Sequence, residues 1–202
     1  VVAANNKELV AEYTITQNQR YFMEYTSEGG YTVSPYDSSA FDATIIRNEY
    51  IDGKGYIEFD APITSIGYRA FYDCSSLTSI TIPDSVTSIG DWAFYYCTSL
   101  TSVTIPDSVT SIGDYAFYEC TSLTSVTIGK GVTSIGSYAF IRCTGELIVN
   151  CNIPSASSYD YGVFYNSDFT KVTICDSVTS LGSDALYNCS TLTSITIPDS
   201  VT

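Results

Sequence analysis

One unit recurs along this chain every 23 residues, and that period limits what the chain can fold into. Copies begin at Ile63, Val86, Val109, Val132 and Val178, with a truncated one at Val201. Val132 and Val178 stand two periods apart, so a degenerate copy lies between them, near Ser155. Six units fit between residues 63 and 200. A unit this short cannot bury its own apolar face. Stacked copies can, which predicts a solenoid with a parallel sheet along one side and a rise of about 4.8 Å per coil.

Each unit reads as two extended pieces and a compact one. In Leu100-Thr-Ser-Val-Thr-Ile105, Val103 and Ile105 alternate with Ser102 and Thr104, the period of a half-buried strand. Pro106-Asp107-Ser108 ends it with turn chemistry. Val109 to Ile112 is a second short strand, closed by Gly113. Asp114 to Cys120 reads as one or two helical turns, with Asp114 as N-cap and Ala116, Phe117 and Cys120 on one side. Stacking turns equivalent residues into ladders: Leu77, Leu100, Leu123 and Leu192; Ile80, Val103, Val126, Val172 and Ile195; and Phe71, Phe94, Phe117 and Phe140, where Leu186 replaces phenylalanine.

Residues 1–62 do not repeat. Tyr21–Tyr25, Tyr31–Val33, Ala43–Ile46 and Tyr56–Phe59 read as short strands, with hairpin turns at Ser27–Gly30 and Asp52–Gly55 and a helix or strand at Asn6–Tyr13. A solenoid needs its first coil covered, so the expected organisation is an N-terminal β cap over 1–62 and a solenoid over 63–202. No cap pattern follows the last repeat, from which the natural chain is expected to run on past Thr202; Val1 leaves room for a removed leader.

Composition narrows the chemistry. There is no histidine, which excludes Ser-His-Asp and Cys-His catalysis and every histidine metal site. With 22 acids against 8 bases the net charge is −14, which disfavours binding to phosphate backbones. No apolar run has the roughly 18 residues of a membrane span. Cys74, Cys97, Cys120, Cys143 and Cys189 share one repeat position, far from Cys-x-x-Cys spacing, and read as a buried thiol ladder. Cys151 and Cys175 lie outside it. Asp84, Asp107, Asp176 and Asp199 share a turn position, too few oxygens for Ca²⁺. No metal, cofactor or catalytic residue is expected.

Tyrosine is the overused residue, at 18 copies. Tyr72, Tyr95, Tyr118 and Tyr187 follow the buried phenylalanine, and Trp92, Tyr115 and Tyr138 share the start of the expected helical turn. Such rows either anchor a partner or cover the seams between coils. The outward strand face is nearly uniform: Ser79, Ser102 and Ser125, with Lys171 in line, beside Thr81, Thr104, Thr127, Thr173 and Thr196.

The phrases Leu77-Thr-Ser-Ile-Thr-Ile82 and Ala93-Phe94-x-x-Cys97, spaced at 23, resemble the BspA-type (Treponema-like) leucine-rich repeats over residues 63–202. The pattern departs at 144–168, where Cys143-Thr-Gly-Glu-Leu-Ile-Val-Asn shifts the strand by one residue and a bulge is expected. The resemblance implies an α/β repeat solenoid, mostly β and right-handed. It also implies an exported or cell-surface bacterial protein that adheres to host proteins, other cells or glycans without catalysis. The alternatives are a structural spacer, or an accessory repeat domain of a larger secreted protein or enzyme.

Overall fold

The computed structural model describes residues 21–154 and 162–202. The element expected at Asn6–Tyr13 and most of the degenerate stretch after Ser155 lie outside those residues. The chain is a mostly β repeat solenoid. Strands β1 (Tyr21–Ser27), β2 (Ile45–Ile51) and β3 (Lys54–Phe59) come first. The repeats then alternate short and longer strands: β4 (Ser65–Ile66), β5 (Leu77–Ile80), β6 (Ser88–Ile89), β7 (Ser102–Ile105), β8 (Ser111–Ile112), β9 (Ser125–Ile128) and β10 (Ser134–Ile135). Next come β11 (Thr144–Val149), β12 (Asp168–Ile174) and β13 (Ser194–Thr196).

Among the described residues these strands form two sheets. The nine-stranded one runs β13-β12-β11-β9-β7-β5-β1-β3-β2 and is parallel from β5 to β13. The four-stranded one, β10-β8-β6-β4, is parallel throughout. Between them the apolar ladders are buried up to the last coil: Leu100, Ile105, Phe94 and Phe117 are wholly inaccessible, whereas Leu186 and Leu192 are only partly buried and Ile195 is exposed. Threonine recurs because its hydroxyl bonds the coil before it. Thr101 and Thr124 each donate Oγ1 to the carbonyl of the threonine 23 residues earlier, at 3.0 and 2.9 Å. Thr87, Thr110 and Thr133 do the same at the second sheet.

The expected helical turns are absent. In each fully described coil the segment after the short strand is a pair of tight turns, with Tyr115 at φ 55° and Glu119 at φ 59°. Alternate N–H groups there serve the neighbouring coil: Trp92, Phe94 and Tyr96 donate to the carbonyls of Asp114, Ala116 and Tyr118 at 2.7–2.9 Å. The groups between them, Ala93, Tyr95 and Cys97, close turns onto residues three back. A helix about 10 Å wide would keep its N–H groups to itself and could not repeat at a strand spacing. Asp114 is therefore no helix cap. Its Oδ1 accepts the Ser137 N–H of the next coil at 2.7 Å, while its own N–H donates to Asp91 Oδ1 at 2.8 Å.

The irregular coil also differs from expectation. Leu147 pairs with Val126 and Val149 with Ile128, so the strand comes two residues early rather than one late. A one-residue slip would turn every side chain over; a shift of two keeps Leu147 and Val149 inside. The next strand returns to register through a bulge, with Phe169 opposite Gly145 and Lys171 opposite Glu146. Gly145 sits at φ 84°, where an added Cβ would lie 2.4 Å from the Thr124 backbone. In the next coil Phe169 takes the leucine position and is wholly buried, 6.5 Å from the Phe140 ring and 6.3 Å from that of Phe164.

Before the first coil, β1, β3 and β2 pair antiparallel in that order, with β3 in the middle, and β1 lies antiparallel on β5. Asp52 (φ 51°) and Gly53 (φ 84°) make the tight β2–β3 turn. Ser27–Gly30 is not a hairpin turn: β1 runs into a short 3-10 turn at Glu28–Gly30, and Tyr31–Val33 is extended but unpaired as a strand. Phe41 and Phe59 lie 5.1 Å apart, and Phe41 packs edge-on to Phe71 at 5.8 Å.

Candidate functional site

Cys74, Cys97, Cys120 and Cys143 of the thiol row are buried, while Cys189 is only half-buried. The thiols of Cys97, Cys120, Cys143 and Cys189 donate to the carbonyls of Phe71, Phe94, Phe117 and Phe164, at 3.0–3.3 Å. Cys74 reaches Ser34 O at 3.6 Å. All seven cysteines are free. Burial pushes Cys74 and Cys151 up to about 11 and raises Cys97 and Cys143 well above the ordinary thiol value of 9.0. We predict that a disulfide-exchange reagent leaves Cys97, Cys120 and Cys143 unmodified in native protein, since a thiol must be both ionised and exposed to react. Mass mapping of the labelled sites, with and without denaturant, checks this; rapid native labelling of those three would contradict it. A folded-state pKa above the unfolded one also means stability is lost as pH rises from about 9 towards 11.

The Phe ladder continues further than its period. Phe71–Phe94, Phe94–Phe117 and Phe117–Phe140 stack at 5.2, 5.0 and 5.3 Å with planes within 8°. Phe164 follows Phe140 at 5.6 Å before Leu186 takes the position. Sequence periodicity missed Phe164 because it falls 24 residues on, in the irregular coil.

Outside that core runs a second aromatic layer on the turn side. Tyr72, Tyr95 and Tyr118 stack at 5.0 and 4.9 Å with planes within 8°. Trp92, Tyr115 and Tyr138 form a parallel row at 4.7 and 5.2 Å. The two rows touch through Trp92–Tyr95 at 4.6 Å and Tyr115–Tyr118 at 5.7 Å. Tyr187 does not join the first row directly, because Ile141 interrupts it; Tyr187 stacks on Tyr165 at 5.9 Å, which meets Tyr138 at 6.2 Å. Tyr36 extends the layer at the other end, 5.2 Å from Tyr72. Tyr36, Tyr96 and Tyr165 belong to this surface but share no repeat position with the predicted rows, or only a shifted one.

The rings turn their faces on one another. All six in the two rows are half-buried, so solvent meets their edges. Burial also raises the Tyr95 and Tyr118 phenols above their ordinary value, keeping them neutral hydrogen-bonding groups. Tyr68, Tyr96 and Tyr187 stand out further, at 53%, 38% and 53% exposure.

The sheet face carries little that could select a ligand. Ser102 pairs with Ser125 and Thr104 with Thr127 across one strand spacing. The irregular coil breaks this uniform row with Glu146 and Ile148, and Glu146 Oε1 pairs with Lys171 Nζ at 2.7 Å. Asp107 acts within the turn row: its Oδ1 accepts the Lys130 N–H at 2.9 Å and its Oδ2 lies 3.2 Å from Lys130 Nζ. Those contacts hold its carboxyl below the usual carboxylate range. Among the described residues no group of three histidine, cysteine or acidic side chains gathers as metal ligands, and no helix is long and apolar enough to cross a membrane.

A coil of two short parallel strands and a tight turn, repeated over buried Leu, Phe and Cys rows, defines a leucine-rich repeat protein. The model of the BspA-type leucine-rich repeat region matches residues 44–159 and 157–202 in six copies, and the chain belongs to that family. Similar solved structures include a leucine-rich repeat protein of T. pallidum, TpLRR, at 25% identity and TM-score 0.46. The match covers 74% of this chain and 67% of that one. A leucine-rich cell surface protein of Faecalibacterium prausnitzii is 27% identical at TM-score 0.41, covering 85% of this chain and 54% of that one, so this chain spans about half its length. A leucine-rich repeat protein of Bacteroides ovatus is 22% identical at TM-score 0.31, over 88% of this chain and 75% of that one. A search of curated proteins finds no match.

Proposed function

We propose that this chain is a non-enzymatic recognition module of a bacterial surface protein, and that it engages a protein partner through its aromatic flank. The observation that carries the reading is the continuous, half-exposed layer from Tyr72 to Tyr138, held rigid by ring stacking. Rigid tyrosine and tryptophan lose little conformational entropy on binding and offer apolar edge and hydroxyl together. Sugar rings bind best on open aromatic faces, and here those faces are covered, which favours a protein over a glycan. The surface location draws on the family and on the name of the F. prausnitzii protein.

The test is a screen of purified protein against matrix proteins and glycans, beside a Tyr68→Ser, Tyr96→Ser double variant. Those two rings lie outside the two stacked rows and are the more exposed, at 53% and 38%. A protein ligand whose affinity falls about tenfold or more in the variant, with the melting curve unchanged, supports the reading. Capture of glycans alone would reassign the flank to sugars. No ligand for either protein would favour the spacer role.

A further inference from the structure

One cation heads the tryptophan row. Arg69 occupies the repeat position of Trp92, Tyr115 and Tyr138, and shares their left-handed backbone at φ 57°. Its guanidinium carbon lies 4.9 Å from the Tyr68 ring centre, 5.0 Å from Tyr72 and 5.7 Å from Trp92. The Nε is buried and has no hydrogen-bond partner. Four of the eight bases in this acidic chain, Arg47, Lys54, Lys130 and Lys171, hold carboxylates within 4 Å. Among the described residues Arg69 has none.

An arginine held between rings keeps its fork of N–H donors fixed in one orientation, and a fork matches a carboxylate through two parallel bonds. The rings also exclude water, so the pair is screened less than one on an open surface. We propose that Arg69, caged by Tyr68, Tyr72 and Trp92, binds a single aspartate or glutamate side chain of the protein partner. This rests on the protein-recognition reading and names the group recognised. The source is a protein rather than an acidic polysaccharide, because a net charge of −14 repels a polyanion while tolerating one carboxylate.

Trp92 is the only tryptophan, so its fluorescence reports this site alone. The probes are the blocked peptides Gly-Phe-Glu-Phe-Gly and Gly-Phe-Gln-Phe-Gly, with glucuronate as the sugar acid, titrated into the full chain at low and high salt. The expected result is a saturable Trp92 response to the Glu peptide, about tenfold weaker for the Gln peptide and for the Arg69→Gln protein, and weakened by salt. Arg69→Lys, which keeps the charge but not the fork, should fall between. Glutamine meets the same backbone strain as arginine, so that variant tests the guanidinium rather than the turn; an unchanged melting curve confirms it. Equal response to the two peptides, or an unaltered response in Arg69→Gln, overturns the proposal. Glucuronate binding as tightly as the Glu peptide overturns the protein source. Should the screened partner bind Arg69→Gln normally yet still be lost in the Tyr68, Tyr96 variant, only the carboxylate assignment fails.

Discussion

Replacing Phe117 by alanine is expected to cost about 3–5 kcal/mol, among the largest losses a single truncation can cause here. Its ring is wholly buried and lies between Phe94 at 5.0 Å and Phe140 at 5.3 Å. The cavity left behind cannot close easily, because the coils on either side are pinned by hydrogen bonds. Phe117 N donates to Ala139 O at 2.8 Å, and its carbonyl accepts the Cys143 thiol at 3.0 Å. One deletion weakens two coil interfaces at once, and in a linear array such interfaces carry the stability. Urea unfolding followed by circular dichroism measures the loss. Phe117→Leu should cost less, since the last coil already accepts Leu186 at this position. A Phe117→Ala loss below about 1 kcal/mol would contradict the account of the core.

Removing residues 1–62 is expected to make the chain aggregate. We assign those residues the role of an N-terminal cap, since β1 covers the edge of β5 and Phe41 covers the ring of Phe71. Without them β5 presents an unpaired strand edge beside exposed Phe71 and Leu77, a template for pairing with other chains. Gly67 would also lose its acceptor, Ala40 O at 2.7 Å, and Thr64 its acceptor, the Asp42 carboxylate at 2.9 Å. Size-exclusion chromatography with light scattering reads the outcome. A monodisperse truncated monomer that melts cooperatively would refute the capping role. The paired change Phe41→Ala, Phe59→Ala tests the same idea more gently and should lower the melting temperature while leaving the strands paired.

Periodicity alone gave the solenoid, the strand alternation and the buried rows, because a repeat copies each structural requirement at a fixed interval. Val103 and Ile105 had to face inward once Ser102 and Thr104 alternated with them. The turn segment departs from its helix-like spacing for a definable reason. Ala116, Phe117 and Cys120 carry a helix-like spacing, yet alternate N–H groups of this segment bond the next coil: Tyr115, Phe117 and Glu119 donate to the carbonyls of Ser137, Ala139 and Ile141. Local spacing holds no record of a hydrogen bond 22 residues away. The irregular coil failed in the same manner: Leu147 looks like a late leucine, but pairing with Val126 makes it an early valine.

The candidate surface divides along the same line. The sequence by itself determined which tyrosines recur and that they flank the phenylalanine row, since position within a unit maps onto position around the coil. Only the tertiary structure decided that their faces are covered by one another, that Tyr165 carries the row past Ile141 to Tyr187, and that Arg69 ends it without a carboxylate among the described residues. Those properties depend on distances between coils, which are fixed by the strand spacing and the side chains stacked across it rather than by any one repeat.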